Sequence, residues 1–166
     1  MDYPSYLSEK EREEYDKILK QFEPYKMEFQ EKIINGLLDY VRHGKNIPVF
    51  DYMYFYDIIY KFCDKEIGHS ILMFHNEKIK QITIECYEKI KDLESFEFLD
   101  FFITYTERLN FIIYIMSHIF MHISTYYLKV IPDEFIKPYP QDDISEFSMD
   151  IYKKEFFDKL NQNFLK

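Results

Sequence analysis

The feature that most limits what this chain can fold into is how rarely it is interrupted. Between Pro48 and Pro132 there is no proline, and Gly68 is the one glycine. Apolar residues recur through that span at three- and four-residue intervals, the period of a helix face. Proline and glycine end helices and make tight turns, so a span this poor in both is built from long helices rather than from short strands joined by hairpins. The expected fold class is all-α, a bundle around one core. The chain has 166 residues, of which 47% are apolar, enough for a single domain with a real interior and too many for a disordered chain.

Charge removes several functions. The net charge is -9 with a pI near 5.1, so a phosphate backbone would be repelled and no nucleic-acid partner is expected. No basic cluster points to a membrane surface. Leu109–Leu128 is rich in Ile and Phe, but Asn110, Ser117, His118, His122, Ser124 and Thr125 interrupt it, and it reads as a buried core helix rather than a membrane span. Cys63 and Cys86 lie inside helical patterns without CxxC spacing, which predicts buried free thiols and an intracellular, reducing location, cytoplasmic or nuclear. The N-terminus is acidic and polar, unlike a signal or transit peptide.

Taken in order, Ser8 heads a capping box with Glu11, predicting a charged helix over about 9–22 that Pro24 ends. Ile18, Leu19 and Phe22 are its only sizeable apolar patch, so it reads as a solvated extension or as an arm that docks on a partner. The next helix runs from about Met27 to His43, with Phe29, Ile33, Ile34, Leu37, Leu38 and Val41 inward and Gly44 as its stop. A short connection covers 45–50. A helix over about 51–66 follows and is broken by Gly68. Another covers about 71–90, with Ile71, Phe74, Ile79, Ile82, Cys86 and Ile90 inward. From Phe96 a long helical stretch reaches about Val130, continuous or broken near Thr104–Thr106. Pro132, Pro138 and Pro140 mark a loop, and a last amphipathic helix over about 144–164 turns Ile144, Phe147, Ile151, Phe156 and Leu160 inward.

The stretch Phe50–Glu66, FDYMYFYDIIYKFCDKE, carries more apolar surface than one core contact needs. As a helix it places Tyr52, Phe55, Tyr56 and Ile59 on one stripe and Tyr54, Ile58 and Phe62 on another. Either both faces are buried, or one joins the core while the other offers tyrosines to a partner, since Tyr supplies large contact area at low entropic cost and keeps a polar tip. Asp57, Asp64 and Glu66 form a solvated edge or the polar rim of such a face. His118 and His122 stand at i, i+4, a spacing that can hold a metal, but no third ligand accompanies them, and no phosphate loop, nucleophile elbow or carboxylate pair is present. The chain is therefore not expected to be an enzyme, and no metal, cofactor or small-molecule substrate is expected.

Two stretches carry a family resemblance. Tyr52, Met53, Phe55, Tyr56, Ile59, Tyr60, Phe62 and Cys63 match the pattern of the second helix of the first cullin repeat. Phe101, Phe102, Glu107, Met116, Ile119, Ile123 and Tyr127 are similar to its fifth helix, with Thr106 in place of a Trp, His122 in place of a Tyr, and Ser124–Thr125 in place of Asn-Arg. The chain thus resembles the N-terminal part of the cullin family. The resemblance implies a cullin-repeat-like bundle of about five helices over 25–131, preceded by a helical extension over 1–24. Residues 132–166, the proline-containing loop and last helix, resemble the opening of a second repeat.

In cullins the second and fifth helices receive a substrate adaptor of BTB/POZ-type fold: an Skp-type protein, elongin C or a BTB protein. Carried over, the adaptor-binding face implied here is Tyr52, Phe55, Tyr56, Ile59, His122, Thr125 and Tyr126. The same resemblance implies a scaffold or interaction module of a ubiquitin ligase, in ubiquitin-dependent protein catabolism, without the region that recruits the RING protein. Such a module is a fragment of a longer cullin or a stand-alone protein. The alternative is a self-associating structural bundle whose aromatics pack internally or across a homodimer.

Overall fold

The computed structural model describes residues 4–5, 7–45, 52–63, 67–130 and 143–164. The chain is all-α, and no strand occurs among the described residues. The Glu11 backbone N–H donates to Ser8 Oγ at 3.4 Å, and the Ser8 N–H donates to the Glu11 carboxylate at 2.8 Å, closing the capping box that opens α1 (Glu9–Phe29). α1 does not stop at Pro24. It passes through the proline, widens into a π turn (Gln30–Ile34) and continues as α2 (Asn35–His43).

The expected break at Pro24 is thus corrected, and the reason is anchoring on both sides. A proline inside a helix costs about 3 kcal/mol. Each large apolar side chain buried offsets roughly 1.5–3 kcal/mol. Tyr15, Leu19 and Phe22 before Pro24, and Phe29 and Ile33 after it, are all in the core. Pro24 itself faces solvent, where water can satisfy the carbonyl left without a donor. Gly44 ends α2 at φ 63°, a left-handed conformation that glycine adopts without a Cβ penalty. Beside it, the Arg108 guanidinium donates to the Val41 carbonyl at 2.6 Å.

The remaining elements are α3 (Tyr52–Phe62), α4 (Gly68–Ile90) and α5 (Ser95–Ile119), followed by a π turn (Ile123–Tyr127) and the short α6 (Leu128–Val130). Then come α7 (Ile144–Tyr152), a π turn (Lys153–Asp158) and α8 (Lys159–Phe164). α4 is the central helix and packs against α2, α5 and α7, while α3 lies on α1 and α5. The middle of the core is aromatic. The Phe29 ring meets those of Phe55, Phe74 and Phe120 at 5.1, 5.6 and 5.5 Å, each edge to face, the arrangement that ring quadrupoles favour.

Other expectations shift once the helices are packed. Gly68 does not break a helix; it is the first residue of α4, and a Cβ there would lie 2.2 Å from the Tyr127 ring. α5 runs unbroken through Thr104–Thr106, with Tyr105 and Leu109 buried and the Tyr152 hydroxyl donating to Thr106 Oγ1 at 3.1 Å. The break comes later, around Phe120, where the direction turns by 59°. Phe120 is fully buried against Phe29, Phe74 and His75, so the chain bends where its side chain enters the core.

The segment read as an N-terminal extension is part of that core. Tyr15, Leu19 and Phe22 join it, and the Tyr15 hydroxyl is hydrogen-bonded to Ser70. So does the last helix, through Ile144, Phe147, Phe156 and Leu160, with Tyr152 buried where Ile151 was expected and Ile151 only half-buried. Asp143 Oδ1 accepts from the Ser145 N–H, and Ser124 Oγ accepts from the Ile144 N–H, both at 2.8 Å, which fixes where α7 begins. All but the first residue of the expected connection at 45–50, and the proline-containing loop at 132–142, lie outside the described residues. Among the described residues no single helix is long and apolar enough to cross a membrane.

Candidate functional site

α3 settles which of its residues face outward. Phe55, Ile58, Ile59 and Phe62 are buried, at i, i+3, i+4 and i+7, and form the core face. Tyr52, Met53, Tyr54 and Tyr60 are exposed, and Tyr56 is half-buried. The stripe of Tyr52, Phe55, Tyr56 and Ile59 is thereby split, and Phe55 and Ile59 are not available to a partner. The physical sorting is simple: a phenol hydroxyl keeps a hydrogen-bond partner most easily at a wet surface, whereas Phe and Ile have no polar atom to satisfy. Tyr54 illustrates the point, donating to the Glu28 carboxylate at 2.9 Å under the Lys32 ammonium.

Between α3 and the second half of α5 lies an open groove with a cavity volume of about 480 Å³. Tyr52, Met53 and Tyr56 form one wall, and Tyr114, His118 and Met121 form the other. The lining is almost wholly apolar. Met53 and Met121 are exposed, and unbranched polarisable thioethers adapt to the shape of what they meet. His118 is held by its Nδ1–H donating to the Tyr114 carbonyl at 2.8 Å, with its ring against Tyr114 at 4.2 Å.

Beside the groove runs a ladder of rings. Tyr56 stacks on Tyr60 at 6.4 Å, Tyr60 meets His122 at 4.4 Å, and His122 lies nearly parallel to Tyr126 at 5.2 Å. Partial burial lowers the His122 pKa, which favours the neutral ring that stacks well, and burial raises the Tyr52 phenol above its ordinary range. Tyr52, Tyr56, His122 and Tyr126 are therefore brought together on one surface. Thr125 is exposed on the same turn, with its hydroxyl donating to the Met121 carbonyl at 3.2 Å. Tyr60, Tyr114 and Met121 complete the surface; none of the three belongs to the implied adaptor-binding face, although Tyr60 matches the second-helix pattern. The signal was present: 114, 118, 122 and 126 follow one another at i+4.

Two other constellations have chemical potential on paper. His118 and His122 are engaged as described, and among the described residues no group of three or more His, Cys, Asp and Glu side chains converges as a metal site would require. His75 joins Asn76 through Nδ1 to Oδ1 at 2.9 Å and Ser148 through Nε2 to Oγ at 3.3 Å, the order of a hydrolase triad. His75 and Ser148 are fully buried, however, so no substrate can reach the hydroxyl. Burial pushes the His75 pKa down to about 4, which keeps the ring neutral with both nitrogens satisfied.

Fold and site together define an all-α bundle that presents an apolar, aromatic-walled groove between two of its helices. No family model, no curated protein and no solved structure matches the chain.

Proposed function

We propose that this protein is a non-enzymatic interaction module in which the groove between α3 and α5 receives a BTB/POZ-fold substrate adaptor of a ubiquitin ligase, as the cullin resemblance implies. The observation that carries the proposal is the convergence of Tyr52, Tyr56, His122 and Tyr126 on one exposed surface. These residues come from the two stretches that resemble the adaptor-receiving helices of cullins. Exposed aromatic anchors around a groove of this volume suit a protein partner, because binding energy at interfaces concentrates in Tyr-rich, pocketed clusters. In this reading the module works inside the cell, in the cytoplasm or nucleus, and contributes binding, while all ubiquitin chemistry belongs to other subunits.

The test is binding of the purified chain to a panel of Skp-type, elongin C and BTB proteins by titration calorimetry. Tyr52→Ala combined with Tyr56→Ala is the control, with folding checked by circular dichroism. One panel member should bind, and the double variant should weaken it roughly 30-fold or more, the effect of losing about 2 kcal/mol at an interface anchor. Binding that survives the double variant, or no binding to any member, refutes the reading. A tight dimer by sedimentation, dissolved by the same variant, would put a second copy in the groove instead.

A further inference from the structure

A second surface lies at the start of α5, and it is independent of the groove. Phe96, Leu99 and Ile103 recur at i, i+3 and i+7, the spacing of a helix-packing seam, yet they are 88%, 51% and 49% exposed. Contiguous large apolar residues left in water on one helix face mark an interaction surface more often than isolated ones do. Asp100 and Glu107 border this seam along one side, with Glu97 further round the helix, and all three are exposed. Among the described residues none of these three carboxylates makes an ion pair or a side-chain hydrogen bond.

The nearby cations are committed elsewhere. Arg108 turns its guanidinium to the Val41 carbonyl and lies over the Tyr40 and Tyr105 rings, and Lys91 pairs with Glu88 at 2.6 Å.

We infer that this face docks an amphipathic helix of a partner protein, with large apolar residues at the same spacing and Lys or Arg along the flank that meets Asp100 and Glu107. Charge decides the occupant. A second copy would set Asp100 and Glu107 against carboxylates of its own kind, on top of a net charge of -9 per chain. An anionic lipid surface would be repelled in the same way, and burying Phe96 and Leu99 in acyl chains would drag Glu97 and Asp100 out of water without partners. A basic flank alone pairs with these carboxylates while its apolar residues cover the seam.

The experiment uses two fluorescein-labelled helical peptides with an identical Leu seam, one flanked by Lys and one by Glu, titrated with the intact chain and read by anisotropy. The Lys peptide should bind, the Glu peptide should bind at least roughly 30-fold more weakly, and affinity should fall between about 50 mM and about 500 mM salt. Phe96→Ser with Leu99→Ser should weaken the Lys peptide by about tenfold or more. Asp100→Lys with Glu107→Lys should reverse the preference between peptides. All four positions are exposed, so both variants should keep the helical circular dichroism of the parent.

Tyr52→Ala with Tyr56→Ala should leave the peptide affinity unchanged, which separates this face from the groove. Equal binding of the two peptides overturns the inference, as does Lys-peptide binding indifferent to the seam variant. A dimer in sedimentation that the seam variant dissolves, or binding of phosphatidylserine vesicles that it abolishes, would overturn it in favour of those occupants.

Discussion

Acidification from pH 7 to pH 5 should cost this protein about 2 kcal/mol of stability through one side chain, His75, whose buried pKa lies near 4 against an ordinary 6.5. The ring has no exposed surface, and its neighbours Asn76, Ser148 and Phe120 bring no charge to compensate a proton. The sign follows from where the proton sits. Between the two pKa values the unfolded chain binds it and the folded chain does not, so stability is fully present above about 6.5 and is lost as pH falls toward about 4. The full difference corresponds to about 3 kcal/mol, and about 2 kcal/mol of it is spent by pH 5.

The assay is urea unfolding at several pH values between 7 and 5, with His75→Gln as the partner variant. Gln keeps a donor and an acceptor but does not titrate in this range. Glu28, Glu85 and Glu155 also have lowered pKa values, held down first by hydrogen bonds to Lys32, Arg42 and Lys159 respectively. Their contribution fades only at more acidic pH and is common to both proteins, so it cancels in the difference. The variant starts less stable at pH 7, and the gap should close by about 2 kcal/mol by pH 5. A gap that stays constant within about 0.5 kcal/mol over that range refutes the reasoning.

Gly68→Ala should destabilise by about 1–3 kcal/mol in thermal unfolding, because the new Cβ falls 2.2 Å from the Tyr127 ring, and pairing it with Tyr127→Leu should recover part of the loss. If Gly68→Ala melts with the parent, the close approach of α4 and the turn after α5 is wrong. Phe156→Ala should cost about 3–5 kcal/mol. Its ring is fully buried between Tyr152 at 5.3 Å and Phe102 at 5.9 Å. A loss under about 1 kcal/mol would mean that the last helix is an appendage rather than part of the core.

Helix periodicity was legible wherever one face of a helix is apolar and the other polar. Ile71, Phe74, Ile79, Ile82, Cys86 and Ile90 in α4, and Phe29, Ile33, Ile34, Leu37, Leu38 and Val41 around α2, all point inward as their spacing predicts. α3 defeated the same reasoning because, apart from Asp57 and Lys61, it is apolar or aromatic all round and has no polar side to orient it. Which of its faces meets α1 and α5 depends on neighbours far away in the chain, so Phe55 and Ile59 went inward and left Tyr52, Tyr56 and Tyr60 as the surface.

The other departures from local sequence signals have the same physical origin. Pro24 is a local signal to stop a helix, and it was overruled by aromatic side chains on both sides that find partners in α3 and α4, such as Phe22 against Phe62 at 5.4 Å and Phe29 against Phe74. At Thr104–Thr106 burial of Tyr105 and Leu109 keeps the helix continuous, and the bend falls around Phe120 instead. By itself the sequence determined the all-α class, the helices and the inward faces of the amphipathic ones, because those follow from backbone propensity and short-range spacing. Only the tertiary structure decided where helices merge and bend, and which aromatics remain in water to form the groove and the acidic seam. Those outcomes depend on which surfaces pack together, and packing is set by contacts between residues distant in the chain.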